Sequence, residues 1–231
     1  MFNNYNARNN PKRVKTVYVA FFDLDHTILN ISSGKIMFKG SLEHKLIGRK
    51  EIFKGIILNI LYRLGILSAE AAIARWLQWY RGVTAEMMEP TALYCAREVK
   101  KVIRNDARRE IKFHQDNGAR TVILSASTAF FCDQIKTELQ MDDVICTELE
   151  IFNDRFSGKI KGKYCYGSEK LIRARQYCQD KGLKMEDAYY YGDSMADLPV
   201  LESVGVPVCV TPDKKLKKIA LQREWNIKTW E

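Results

Sequence analysis

The spacing of apolar residues divides the chain into three stretches. The run VYVAFF at 17–22 is apolar without interruption, which is typical of a strand buried on both faces of a parallel sheet. Between about residues 34 and 116 apolar side chains recur at helical spacing, which predicts several helices with a break at Glu89-Pro90. From residue 121 onward, short apolar runs alternate with helical patterns.

This third stretch predicts a regular alternation of elements. A β-hairpin is predicted at 148–161, with its turn at Asn153-Asp154. Such alternation predicts an α/β fold with an open parallel sheet and helices on both faces, and makes the helical stretch an insertion into that fold. The strands are predicted at 121–125, 143–146, 187–191, 206–210 and 226–229, and the helices at 129–139, 168–181, 195–203 and 213–222.

Composition adds a strongly basic charge balance to this picture. The 231 residues are 46% hydrophobic, enough for a sizeable core, and carry a formal charge of +9. That charge favours anionic partners such as phosphate esters, nucleic acid or lipid headgroups, or it serves solubility on solvated faces. Residues 1–16 are rich in Asn, Lys and Arg without periodicity, and we expect a disordered basic extension there.

Cysteine usage and hydropathy point to the cytoplasm. The six cysteines show no CxxC spacing, which favours reduced core residues over a disulfide framework or a zinc site. The N-terminus has no apolar signal segment, and the apolar stretch 56–67 is too short to cross a bilayer. We therefore expect a cytoplasmic protein.

Polar groups that can do chemistry follow the predicted strands. Asp23 and Asp25 come after the first strand, Ser125 ends the second, and Asp193 follows the strand at 187–191. In an open α/β sheet, ligands bind beyond the carboxyl ends of the strands. These groups are therefore predicted to converge, and Lys170, in the first turn of its helix, is expected to join them.

The same residues carry a resemblance to a known family. DLDHT at 23–27, the serine of ILSAS, Lys170 within YGSEK and GDSMAD at 192–197 resemble, in order and spacing, the four motifs of the haloacid dehalogenase superfamily. The phosphoserine phosphatase-like branch, with a helical cap between the first two motifs, is the most similar. The resemblance implies a three-layer Rossmann-like core at 17–31 and 117–231, and a cap at 32–116 that determines specificity.

The resemblance also implies a mechanism for the acidic residues. Asp23 is expected to attack phosphorus and form an aspartyl-phosphate, and Asp25 to act as general acid and then general base. A hard cation, Mg²⁺, is expected between Asp23, the main-chain carbonyl of Asp25 and Asp193. Asp197 is expected to support the metal or to orient Lys170.

The remaining motif residues are expected to bind the phosphoryl group. Ser125, the main-chain amide of Ala126 and Thr27 would hydrogen-bond its oxygens, and Lys170 would neutralise its charge. Ser127 is expected to cap the helix that begins near Thr128.

Three positions bear on specificity. His26 stands where most relatives carry glycine, and it either lines the entrance or points into the junction with the cap. Ala196 stands where many phosphoserine-specific relatives carry asparagine, which weakens that substrate assignment but not the phosphatase assignment. The tyrosines at 189–191 are expected to be packing residues.

The predicted function is a Mg²⁺-dependent phosphatase acting on a phosphate monoester, phosphoserine or another small phosphorylated metabolite. In the cap, basic residues interleave with apolar ones in an amphipathic pattern: Arg49, Lys50, Lys54, Arg63, Arg75 and Arg81 among Ile56, Ile57, Leu61, Trp76, Trp79 and Tyr80. This pattern fits an ordinary helical bundle, a surface for anionic membrane that admits a lipid phosphate, or a lid over a small polar ester. The rivals are a phosphotransferase and a non-catalytic basic protein that binds phosphate or nucleic acid, although no nucleic-acid partner is expected. The oligomeric state stays open.

Overall fold

The predicted strands form one parallel sheet in the computed structural model, which describes residues 17–231. The basic extension predicted for residues 1–16 lies outside the described residues. Six strands pair in the order β3-β2-β1-β6-β7-β8, and every pairing is parallel. They are β1 (Val19–Phe22), β2 (Arg120–Thr128), β3 (Asp143–Thr147), β6 (Tyr189–Gly192), β7 (Val206–Val210) and β8 (Asn226–Lys228), and the predicted hairpin is β4 (Leu149–Phe152) with β5 (Arg155–Ile160).

Helices cover both faces of this sheet. Side chains alternate along β1, so that Val19 and Phe21 share one core with α7 to α9, and Ala20 and Phe22 share the other with α5 and α6. The predicted α/β fold with a three-layer core is confirmed. These helices are α5 (Asn105–Asp116), α6 (Ala129–Leu139), α7 (Ser168–Lys181), α8 (Leu198–Leu201) and α9 (Lys214–Gln222).

The predicted helical stretch connects β1 to α5 and holds four helices. A buried hydrogen bond joins Ser41 Oγ to Tyr80 OH at 2.9 Å. The close approach of α1 and α4 requires Gly40, because a Cβ there would lie 2.7 Å from the Tyr94 ring. The helices are α1 (Ser33–Glu43), α2 (Arg49–Arg63), α3 (Ala69–Leu77) and α4 (Ala85–Lys100), and a single 3₁₀ turn (Gln78–Tyr80) follows α3.

The β4–β5 hairpin packs against this helical stretch. The amide of Gly82 donates to the carbonyl of Phe156 at 2.7 Å, and Phe156 donates to the carbonyl of Val83 at 2.9 Å. Gln78 Nε2 donates to the carbonyl of Gly158 at 2.7 Å. Two segments far apart in sequence are thereby joined by backbone hydrogen bonds.

The helix break predicted at Glu89-Pro90 is wrong. Pro90 lies inside α4, which is capped at its start by Thr84 and continues to Lys100. A proline removes one backbone donor and leaves the carbonyl four residues earlier without its partner. Both Pro90 and Glu86 are exposed, so water can bond that carbonyl.

The structure also tests what the sequence predicted about the cysteines and about membrane-spanning helices. All six cysteines are buried and none forms a disulfide bond, which agrees with the prediction of core residues. Among residues 17–231, no helix combines the length and the apolar character needed to cross a bilayer.

Candidate active site

Three neighbouring strands end in the residues that carry the motifs. Asp23 follows β1 directly, Ser125 and Ala126 lie near the end of β2, and Asp193 follows β6. Because β2, β1 and β6 are adjacent in the sheet, these residues share one edge of it. This is the edge at which ligands bind in open α/β sheets.

Lys170, in the first turn of α7, is buried among carboxylates. Its side-chain Nζ donates to Asp23 Oδ1 at 2.8 Å and to Asp197 Oδ1 at 2.7 Å. The same Nζ lies 3.2 Å from the hydroxyl of Tyr190, which itself donates to Asp197 Oδ1 at 2.6 Å. Lys170 is only 1% exposed, so these partners replace the water it loses. Although burial opposes ionisation, Asp197 and Asp23 raise the pKa of Lys170 well above its ordinary value. The lysine is therefore a fixed positive charge.

Asp197 connects Lys170 to the loop after β6. While Oδ1 accepts from Lys170 and Tyr190, Oδ2 accepts from the amides of Asp193 and Ser194, each at 3.1 Å. Burial opposes ionisation, but these bonds and the charge of Lys170 hold the pKa of Asp197 below its ordinary value. Gly192 makes this approach possible, because a Cβ at that position would lie 2.7 Å from the Asp197 side chain. The geometry is compatible with both functions predicted for Asp197, which are support of a metal and orientation of Lys170.

The acidic residues are crowded enough to attract a cation. Carboxylate oxygens of Asp23, Asp193 and Asp197 lie within 4.8 Å of one another. Burial, together with the carboxylates of Asp23 and Asp197, raises the pKa of Asp193 to about 9. Burial also raises the pKa of Asp23 to about 7, although Lys170 opposes that shift. The cluster holds more negative charge than one lysine balances, and a divalent cation with oxygen ligands would reverse both shifts. The residues present therefore fit Mg²⁺.

Asp25 points to the start of the first inserted helix. Its carboxylate accepts from the amide of Ser33 at 2.8 Å and from the hydroxyl of Ser32 at 3.2 Å. Ser32 also caps α1, accepting from the amide of Gly34. Asp25 is half-buried, and both of its carboxylate oxygens accept hydrogen bonds from this helix start.

Several predicted phosphate-binding residues carry features that suit an anion. The Thr27 hydroxyl is buried and finds no hydrogen-bond partner within residues 17–231. Ser125 is buried, and its Oγ accepts from the amide of Ser127 at 3.2 Å. The pairing of β2 with β3 shifts register between Leu124 and Thr128, so Ala126 lies in an interrupted part of the ladder.

The capping function predicted for Ser127 is wrong. Its hydroxyl lies 2.5 Å from that of Ser33, on the first inserted helix. Thr128 occupies the N-cap position of α6 but makes no side-chain capping bond. Ser127 therefore bonds Ser33, which is distant in sequence, instead of an amide in the first turn of α6.

His26 adopts a backbone conformation that favours glycine. Its φ of 59° is in the left-handed region, which explains why glycine suits this position. The side chain is exposed, and its main-chain carbonyl accepts from Arg104 Nη2 at 3.4 Å.

The hydroxyl of Tyr190 belongs to the site, which the sequence motifs did not indicate. Tyr190 is buried in the core, which confirms the predicted packing, but its hydroxyl also bonds both Lys170 and Asp197. Strand alternation contains the signal, because it places Tyr190 on the face of β6 that packs with α7. Tyr164 and Tyr166 stack with ring centroids 5.5 Å apart just before α7. Burial and, to a smaller extent, the charge of Asp25 raise the pKa of Tyr164.

Comparisons with known proteins agree with this geometry. A family model described as haloacid dehalogenase-like hydrolase matches residues 20–202, a range that contains all the motif residues from Asp23 to Asp197. The inhibition of morphological differentiation protein of Streptomyces azureus is 30% identical over 220 residues, covering 90% of this chain and 76% of that relative. The histidinol-phosphatase of Neisseria meningitidis serogroup C is 26% identical over 215 residues, covering 90% of this chain and 97% of that enzyme.

A solved structure extends the similarity to the whole fold. A protein of unknown function from Bordetella pertussis Tohama I superposes with a TM-score of 0.84 at 26% identity. The superposition covers 92% of this chain and 99% of that one. The inserted helices are therefore shared along with the sheet.

Proposed function

The chain belongs to the haloacid dehalogenase-like hydrolase family, and we propose that it is a Mg²⁺-dependent phosphatase acting on a small phosphorylated metabolite through an aspartyl-phosphate. The observation that carries the proposal is the buried Lys170 between Asp23 and Asp197, with Asp193 in the same acidic cluster. A buried lysine that holds an attacking carboxylate at the ligand-binding edge of the sheet suits reaction with an anionic ester.

In the first step Asp23 forms a bond to phosphorus. Lys170 holds Oδ1 of Asp23, and no described residue donates a hydrogen bond to the other oxygen, which is the one available for attack. The ester P–O bond breaks, and the departing oxygen takes a proton from Asp25. Ser32 and Ser33 hold Asp25 in place for this transfer.

In the second step water opens the aspartyl-phosphate. Asp25, now a carboxylate, takes a proton from water as the water oxygen bonds to phosphorus. The bond between phosphorus and the Asp23 oxygen breaks, inorganic phosphate leaves, and both acids return to their starting states. Thr27, Ser125 and the amide of Ala126 are proposed to hold the phosphoryl oxygens in both steps.

Mg²⁺ is proposed to bind Asp23, Asp193 and the main-chain carbonyl of Asp25. When bound, it supplies positive charge to an anionic reaction centre. Asp197 is proposed to act beside it by orienting Lys170, since both of its oxygens already accept hydrogen bonds.

The helical stretch between β1 and β2 is proposed to be the cap that selects the substrate, with residues 32–116 as its bounds. Ser33 contacts both Asp25 and Ser127, so the first inserted helix reaches two motifs of the core. A metabolite such as phosphoserine or a related amino-acid or amino-alcohol ester fits a phosphatase of this kind, and we place the enzyme in the cytoplasm.

The test is hydrolysis of p-nitrophenyl phosphate with Mg²⁺, with EDTA, and by the variant Asp23→Asn. We expect turnover that EDTA abolishes and that Asp23→Asn lowers by at least about a thousandfold, since the nucleophile is gone. Asp187→Asn is the matched control, because Asp187 is exposed and precedes the amino end of β6, whereas the motif residues lie at the carboxyl ends of the strands.

Metal-independent turnover, or full activity in Asp23→Asn, would contradict the proposal. Salt-sensitive retention on nucleic acid without any phosphatase activity would favour the non-catalytic rival instead. A panel of phosphate monoesters, with product analysis in the presence of acceptor alcohols, then separates hydrolysis from phosphoryl transfer.

A further inference from the structure

Helix α2 exposes an apolar stripe to solvent. The exposed fractions of its five members range from 41% to 67%. Phe53, Ile56, Ile60 and Leu64 follow one another at intervals of three or four residues along α2 and its C-cap, and Ile57 lies three residues before Ile60, so all five share one face of the helix. The members of this stripe are Phe53, Ile56, Ile57, Ile60 and Leu64.

The opposite face of α2 is the one that packs on the protein. Gly55 lies against Trp79, where a Cβ would be 3.3 Å from the indole ring. The same Cβ would lie 3.7 Å from the ring of Phe38 on α1. The stripe therefore faces outward because the other side of the helix is already used. A stripe of large aliphatic side chains left in water is typical of an interaction surface.

Basic residues accompany the stripe. Lys50 and Lys54 lie on the same helix and are exposed. Glu51, the single acidic residue between positions 49 and 67, accepts from the amide of Gly48 at 3.0 Å and lies 3.7 Å from Lys54 Nζ, so it offsets one of the four basic residues of this segment. The surface is thus apolar at its centre and positive along its flank, in a protein of formal charge +9.

We propose that α2 docks on the surface of an anionic phospholipid bilayer, with the stripe in the boundary between headgroups and acyl chains. Aliphatic and aromatic side chains enter that boundary, while lysines meet the anionic headgroups. A second copy of this chain would present the same positive charge, which disfavours pairing of two α2 faces. Nucleic acid would leave the aliphatic stripe without apolar contacts. This docking goes beyond the proposed catalytic function and does not depend on it.

The experiment is co-sedimentation of the full chain with vesicles of phosphatidylcholine alone or mixed with phosphatidylglycerol. We expect binding to the mixed vesicles, weaker binding to neutral ones, and release by high salt. The double variant Ile56→Ser with Ile60→Ser should weaken binding at least about tenfold, because two apolar anchors are lost. Lys50→Glu with Lys54→Glu should also weaken binding at least about tenfold, since each lysine contributes roughly fivefold at an anionic surface.

Matched controls carry the same changes elsewhere. Leu93→Ser with Leu221→Ser alters two exposed leucines on other helices, and Lys217→Glu with Lys218→Glu reverses two exposed charges on α9. Far-UV circular dichroism and a cooperative urea unfolding transition should be retained by all four variants, which shows that each is folded. The inference is overturned if the wild type binds neither vesicle or binds both equally, or if the controls lose as much binding. Self-association that the Ile56/Ile60 variant abolishes would assign the stripe to a second copy instead.

Discussion

Replacing Lys170 by methionine removes the ammonium group but keeps an unbranched side chain in the core. The native Nζ makes two charged hydrogen bonds, at 2.8 Å to Asp23 and 2.7 Å to Asp197, in a residue that is 1% exposed. Hydrogen bonds to charged groups contribute about 1.5–3 kcal/mol each, and removal of one partner of a buried ion pair costs about 3–5 kcal/mol. We expect Lys170→Met to lower the free energy of unfolding by about 3–5 kcal/mol near pH 8.

The loss should depend on pH in a defined direction. Without Lys170, Asp23 and Asp197 lose the charge that opposes burial, so their pKa values in the folded state rise above those in the unfolded chain. Stability contributed by a carboxyl group with a raised folded pKa is present below its unfolded pKa and is lost as pH rises through the folded pKa. The difference from the wild type should therefore be smaller at pH 5 than at pH 8.

The assay is urea unfolding at both pH values, in EDTA so that no metal replaces the lysine. Lys217→Met, at an exposed position on α9, is the control and should change stability by less than about 0.5 kcal/mol. A loss below about 1 kcal/mol in Lys170→Met, or an equal loss at both pH values, would refute the argument from a buried charge network.

Two further predictions concern His114, which is buried on α5, and Gly192, at the end of β6 beside the site. Burial lowers the pKa of His114 to about 4 from an ordinary 6.5, so stability should fall by about 3 kcal/mol as pH drops through this window, because only the unfolded chain readily takes the proton. His114→Gln should reduce that fall in urea titrations, and an unchanged pH dependence would contradict the assignment. Gly192→Ala should lower kcat at least about tenfold, since the new Cβ would lie 2.7 Å from the Asp197 side chain and displace Lys170; unchanged kcat would show that the loop absorbs the methyl group.

Much of the core fold could be predicted from the sequence because its elements are marked by local patterns. The helices at 129–139 and 168–181 and the strand at 206–210 have the predicted bounds. Each is a continuous apolar run or a helical repeat between polar segments, so the local pattern was enough to predict where the element begins and ends. The convergence of Asp23, Asp193 and Lys170 was also predictable, since parallel strands end at one edge of the sheet.

The missed features depend on partners that are distant in sequence. Ser127 bonds Ser33 rather than the adjacent helix, and Tyr190 contributes a hydroxyl that only the position of Lys170 makes functional. Pro90 was read as a helix break, but exposure to water and a good N-cap allow α4 to continue through it. Local propensity could not anticipate these outcomes, because tertiary contacts and solvent decided them.

The most direct test of the account is the identity of the residue that carries the phosphoryl group during turnover. The protein is mixed with Mg²⁺ and p-nitrophenyl phosphate, quenched rapidly in acid, digested, and analysed by mass spectrometry. We predict one phosphoryl group on Asp23, and its absence in Asp23→Asn. A phosphoryl group on Asp25, or turnover of the wild type without any phosphorylated aspartate, would contradict the mechanism.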